Sequence, residues 1–251
     1  MVGPPIDAGT VVSLTLGLSN AAGAWTEIIT STAAEASWIQ VAAYSASSSG
    51  RAPAILLDVG IGGAGAEVAV ISGMQVGMVS TTGGLPWMPL RIPAGTRVAV
   101  RAQNSDTLPT SMGVTVCTAG AAPGTTPPPI TSLSASPATL ATSRGALVTT
   151  SGWTEVIAAT PMPYRMLVLC IGGGGDPTYS AVEALHDLGV GAAGSEVVVA
   201  RSVWGESSTE SRNWRGGPTY AVGSWPAGTR VVARSNQGAT NGYSVNVIGV
   251  P

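Results

Sequence analysis

Four blocks of residues occur twice in this chain, in the same order and about 130 residues apart. Trp25-Thr26-Glu27-Ile28 returns as Trp153-Thr154-Glu155-Val156. DVGIGGAGAEVAVI from Asp58 returns as DLGVGAAGSEVVVA from Asp187. PAGTRVAVR from Pro93 returns as PAGTRVVAR from Pro226, and MGVTVC from Met112 matches YSVNVI from Tyr243. Ordered recurrence at a fixed offset is the mark of an internal duplication, so whatever one half folds into, the other folds into as well.

The repeat sets the expected boundaries: an extended N-terminal arm at 1–9, one repeat at 10–118, a linker at 119–133 and a second repeat at 134–251. The linker contains Pro127-Pro128-Pro129, a run that favours an extended, semi-rigid polyproline II spacer. The period inside each repeat is that of strands. In Arg97–Arg101, Val98 and Val100 point one way while Arg97, Ala99 and Arg101 point the other. Val11–Leu16, Trp38–Val41, Ile55–Val59 and Glu67–Ile71 are further β-branched runs, and Gly, Pro, Ser and Thr separate them. No segment holds a helical period over three turns. About eight short strands per repeat predict an all-β chain of two tandem antiparallel β-sandwiches, jelly-roll-like in topology. The PAGT turn is expected to be type I, with Pro second and Gly fourth.

Each repeat contains G-x-G-x-x-G after an apolar strand: Gly60 to Gly65, and Gly189 to Gly194. A dinucleotide site needs the third glycine to open a helix whose N-terminus holds the pyrophosphate. The residues that follow Gly65, Glu67-Val68-Ala69-Val70-Ile71, are strand-forming instead. A tight connection or bulge between two strands is therefore expected. Asp58 and Glu67, with Asp187 and Glu196, flank this turn. Paired carboxylates suit acid–base catalysis or calcium. They also suit a fold in which one acid caps the turn and the other pairs with Arg97 or Arg101, or with Arg230 or Arg234 in the second repeat. Presence in both repeats favours the fold reading.

Other chemistry is thin. His186 is the sole histidine, and the first repeat has Leu57 in its place. A triad would rest on it alone, and the adjacent Asp187 points to the opposite face of a strand. One His with Cys117 and Cys170 in different halves does not make a zinc site, and both thiols are expected buried and free. There is no P-loop lysine; no cofactor is expected and the chain does not read as an enzyme. All basic residues are Arg, the net charge is -2 and no basic stripe exists, which argues against a nucleic-acid partner. Neither a signal peptide nor a run of about 20 apolar residues is visible, so no membrane partner is expected.

Charged residues are only 10% of the chain, against about 25% in ordinary soluble domains. A surface so short of charge is expected to be covered by neighbours, which predicts a homo-oligomer, with a trimer as a candidate state. The repeats differ most between the Gly-rich block and PAGTR. Met74, Met78, Trp87 and Met88 stand there in the first repeat; Trp204, Arg212, Trp214 and Arg215 stand there in the second. Trp and Arg anchor interfaces and Met adapts to irregular partners, so this region is the candidate contact surface. The repeated Trp25 and Trp153 are expected in the core.

The set Leu57-Asp58-Val59-Gly60-Ile61-Gly62, Ala64-Gly65-x-Glu67 and Ile92-Pro93-Ala94-Gly95-Thr96-Arg97, present in both halves, resembles virion proteins of tailed bacteriophages with tandem β-sandwich domains, of head-decoration (cement) or fibre type. The second repeat departs at Trp225, where the first has Ile92. The resemblance implies a structural protein made in the host cytoplasm and displayed on the virion. Its implied partner is a major capsid protein or another virion protein. In a fibre, exposed Trp would instead recognise a host-surface glycan. No catalytic residue is implied.

Overall fold

The computed structural model describes residues 5–9, 12–15, 21–45, 55–76, 83–84, 88–104, 111–119, 146–148, 152–172, 182–206, 219–235 and 243–250. Among them every regular element is a strand. The first half has β1 (Pro5–Ala8), β2 (Val12–Thr15), β3 (Thr26–Ile29), β4 (Ala36–Ser45), β5 (Ile55–Ile61), β6 (Val68–Val76), β7 (Gly83–Gly84), β8 (Met88–Ile92), β9 (Val98–Asn104) and β10 (Ser111–Ala119). The second half has β11 (Ala146–Val148), β12 (Thr154–Ile157), β13 (Tyr164–Gly172), β14 (Val182–Val190), β15 (Val197–Glu206), β16 (Thr219–Trp225), β17 (Val231–Ser235) and β18 (Tyr243–Val250).

Each half folds into two antiparallel sheets. In the first, β1 and β2 both pair with β10, β10 pairs with β4, and β4 pairs with β7 and β8; the facing sheet runs β3-β9-β5-β6. In the second, the orders are β11-β18-β13-β16 and β12-β17-β14-β15. Counting β1 with β2, and β7 with β8, as interrupted single strands, both halves follow one path. The first, eighth, third and sixth strands make one sheet, and the second, seventh, fourth and fifth make the other. That is the jelly roll, in which each long connection crosses between sheets. The expected linker falls largely outside the described residues.

Alternation along the strands builds the core. Leu57, Val59, Val98 and Val100 point inward and are fully buried, while Asp58, between Leu57 and Val59, points to the outer face of its sheet. Leu188 and His186 face inward in the same way, with Asp187 between them. Each such apolar side chain contributes about 1.5–3 kcal/mol by leaving water, which fixes the register, because a one-residue slip would expose the whole inner set.

Two expectations are revised at this level. The stretch expected as an arm is extended, but Pro5–Ala8 is not free: it pairs with β10, placing Asp7 opposite Thr118 and Ala8 opposite Cys117. The PAGT turn is shifted by one residue. The Thr229 N–H donates to the Pro226 carbonyl at 3.2 Å and Gly228 has φ +81°. Pro is therefore first and Gly third, the type II pattern that needs positive φ at its third residue. The halves also touch. β6 lies along β13 and β18. Val168, Cys170, Ile248 and Val250, which face away from their own core, are buried in the first half's cluster.

Candidate functional site

The Gly-rich block is the hairpin between β5 and β6, and between β14 and β15. Its third glycine leads into a strand, not a helix, and register shifts fall at Val59/Gly60 and Leu188/Gly189, the expected bulges. Gly62 and Gly191 have φ +121° and +127°. A Cβ on either would sit 2.8 Å from the carbonyl oxygen of Ala66 or Ser195. The glycines are there for the turn itself.

Around each hairpin lies a repeated arginine–carboxylate network. Arg97 donates from Nε to Glu27 Oε2 at 2.6 Å and from Nη1 to Glu67 Oε1 at 2.7 Å. Its counterpart Arg230 donates to Glu155 Oε2 at 2.7 Å, to Glu196 Oε1 at 3.0 Å and to the Gly191 carbonyl at 3.2 Å. Glu196 Oε2 also accepts from the Gly194 N–H at 2.9 Å, so this acid caps the turn and pairs with arginine at once. The Arg97 guanidinium holds the Glu67 carboxyl below its usual range. Glu196 is lowered first by its own backbone N–H and then by Arg230.

A second cluster covers the outer face beside it. Asp58 stands opposite Arg101 across β5 and β9. Arg101 Nε donates to Asp58 Oδ2 at 2.8 Å, and the Gly73 N–H donates to Oδ1 at 2.7 Å. In the second half Asp187 takes Arg234 Nε at 2.8 Å and Arg201 Nη2 at 3.0 Å. Arg201, ahead of Arg234, lowers the Asp187 pKa although burial pushes the other way. The arginines also stack: the Arg101 guanidinium carbon is 4.5 Å from the Trp25 ring centroid, and that of Arg234 is 4.3 Å from Trp153. These tryptophans are not in the core as expected. They are half-buried and lie across Gly60 and Gly189 on the outside of the sheet, where a Cβ would approach the rings to 2.8 and 2.6 Å.

Each of these carboxylates is engaged by arginine, and Asp58 and Glu196 accept backbone N–H groups as well. That arrangement closes charge locally and stiffens the hairpin. At Asp58, Glu67, Asp187 and Glu196 a cation or substrate would have to displace an arginine from a largely covered acid, a costly exchange. Among the described residues no group of three or more His, Cys, Asp or Glu could hold a metal ion. His186 is buried on the inner face, opposite in direction to Asp187. Burial pushes its pKa down to about 4, with the Asp187 charge opposing. Cys170 is a buried free thiol whose pKa burial raises to about 12.

The candidate contact residues do not gather into one described surface. Met74 and Met88 are not contacts: both are fully buried in the first core, because each falls at an inward strand position. Met78, Trp87, Arg212, Trp214 and Arg215 lie outside the described residues. Trp204 is on β15 opposite Ala184. An open cleft lies where the second hairpin meets its PAGT turn, walled by Val190, Trp225 and Arg230, with Arg230 already committed to two glutamates.

One pair of functional positions escaped the sequence reading. Thr32 and Thr160 are buried pins on the PAGT turns. Thr160 Oγ1 donates to the Pro226 carbonyl at 2.9 Å and accepts the Thr229 N–H at 3.0 Å. Its backbone carbonyl takes the Gly228 N–H at 2.7 Å. Thr32 repeats this with Pro93, Thr96 and Gly95. The available signal was a threonine seven positions after each repeated tryptophan. Thr160→Val keeps the shape but removes two hydrogen bonds of the turn, the one from Thr160 Oγ1 to the Pro226 carbonyl and the one it accepts from the Thr229 N–H, leaving only those that Thr229 itself makes to Pro226. The expected loss is about 1–3 kcal/mol, read by urea unfolding of the full chain.

No family model matches this chain, and no curated protein matches it. Among solved structures it is similar to the STIV MCP at 11% identity and TM-score 0.37, over 96% of each chain. It is also similar to the CBM22-1–CBM22-2 tandem domain of Paenibacillus barcinonensis Xyn10C, at 10% identity and TM-score 0.26, over 99% of this chain and 98% of that one. The PBSX exported protein XepA gives 10% identity and TM-score 0.25, over 98% and 86%. At such scores the likenesses bear on neither partner nor role.

Proposed function

We propose that this chain is a structural protein of a tailed bacteriophage particle, a decoration protein that binds and stabilises the outside of the head shell. The observation that carries the reading is an apolar outer surface on a chain poor in charge. Val222, Val68 and Val197 expose 81%, 65% and 62% of their surface, on a chain with only 10% charged residues. Apolar surface with so little charge around it is surface for protein to cover. The charged side chains of the hairpin network are spent on one another, which leaves two stiffened sandwiches as a rigid spacer pair. The motif resemblance points the same way, and the partner it implies is the major capsid protein.

The test is co-sedimentation of the purified chain with head shells made without it. Saturable binding at a fixed ratio to the major capsid protein is the expected result. A chain that stays in the supernatant and instead gives a hit on a host-surface glycan array would overturn the head reading in favour of a fibre module.

A further inference from the structure

The two halves guard one sheet edge differently. Among the described residues β16 is an edge strand paired only with β13, and its counterpart β8 pairs only with β4. Counted back from the shared PAGTR block, Pro89 and Arg91 of β8 stand where β16 has Val222 and Ser224. A bulge before the last residue of the strand is common to both, so the difference lies in the side chains. Proline and charge keep an edge strand from pairing with other chains. β8 has both: Pro89 offers an incoming strand no N–H, and Arg91 stands exposed in an ion pair with Glu35 at 2.9 Å. β16, Thr219–Trp225, contains neither a proline nor a charged residue. Its outer face also continues an interface already made. Across the register, Val222 lies beside Met166 and then Val250, and Tyr220 lies beside Val168 and then Ile248. Val168, Ile248 and Val250 are buried where β6 lies along β13 and β18. At the β16 end of the same rows the cover stops, and Val222 and Tyr220 are 81% and 37% exposed.

We infer that β16 pairs with β16 of a second copy, antiparallel across a two-fold axis, joining two four-stranded sheets into one. Residues opposed in an antiparallel pair share a face, so the axis passes through a residue and not between two. Placed at Ala221, it sets Tyr220 of each copy opposite Val222 of the other, and the two apolar margins cover each other. The occupant is a second copy because the strand is its own complement: a two-fold contact needs only one surface, and a strand without charge brings no like charges together. Main-chain hydrogen bonds at an open edge supply the affinity, and the flanking side chains set the register. The first half is barred from the same contact by Pro89, at the position of Val222. The inference goes beyond the head-shell reading: it concerns only copies of this chain.

Light scattering of the purified full chain tests it. The wild type is expected at twice the 24.9 kDa chain mass. Val222→Pro, which gives β16 the guard of the first half, is expected as a monomer. Val222→Glu is expected as a monomer too, because it sets a charge in each side of the contact; it carries the test if proline disturbs the strand. V197E/V198E, which changes two exposed positions on β15, is expected to keep the dimer. A wild type that is monomeric over a hundredfold concentration range overturns the inference, and so does a trimer, or a dimer that both Val222 variants leave intact. A monomer whose binding to head shells is lost in Val222→Glu gives the patch to the capsid protein: the inference then falls and the proposed function stands. A dimer that ignores shells does the reverse.

Discussion

Between pH 7 and pH 4 the second sandwich is expected to lose on the order of 3 kcal/mol of stability through His186 alone. The unfolded chain binds a proton on this imidazole at about pH 6.5, whereas burial holds the folded pKa down to about 4. The unfolded state therefore carries more protons across that window. The contribution is whole above pH 6.5 and drains away as pH falls towards 4. The carboxylates act lower down. Glu67, Asp187 and Glu196 are held below their ordinary values, so what they add is present above about pH 4.5 and is lost as pH falls through their folded pKa values. His186→Leu separates the two windows, since the first half already holds Leu57 at the matching inward position. The variant is expected to show a flat urea midpoint between pH 7 and pH 5, followed by the carboxylate loss. Two sandwiches need not unfold together, so hydrogen exchange on peptides of 182–206 assigns the effect. An equal pH slope in the wild type and H186L would sink the account.

The duplication and the alternation were legible because both are properties of the residue string. Val98 and Val100 announce an inward face wherever their strand sits. The jelly-roll order was not legible in the same way: alternation says which face a residue takes but not which strand lies beside it. That blindness explains the specific misreadings. Met74 and Met88 sit near Gly and Pro and read as loop contacts, yet pairing with β5 and β4 turns both into the core. The PAGT motif marks a turn but not its phase: the expected turn starts one residue early, because Pro tolerates both the first and second positions and only the φ of Gly228 decides. The acids at 58 and 67 were matched to arginines 97 and 101, but which acid meets which arginine follows from the register of β5 against β9. Trp25 was placed inside because it is large and repeated. Its seat is a glycine 35 positions away, a partner that becomes visible only once β3, β9 and β5 lie side by side.

That seat makes the strongest prediction about the outer face. Gly189→Ala is expected to destabilise the second sandwich by about 1–3 kcal/mol, a large effect for one methyl group on an outward strand position. The new Cβ would lie 2.6 Å from the Trp153 ring and 3.0 Å from Val232 Cγ2, so the indole must lift. Lifting it breaks the stack with Arg234, itself worth about 0.5–2 kcal/mol, and loosens the guanidinium that pairs with Asp187. If Trp153 is the cause, removing it first should remove the effect. Trp153→Ala is destabilising by itself, but Gly189→Ala added to it is expected to cost only a few tenths of a kcal/mol, a failure of additivity that marks direct contact. Gly60→Ala with Trp25→Ala should repeat the cycle in the first half, where the approach is 2.8 Å. Urea titration of the four chains in each cycle measures the coupling. Additive losses would mean that alanine fails at Gly189 because of the bulge backbone and not the ring. The paired Trp and Gly would then be separate requirements of the fold rather than one clamp over the sheet.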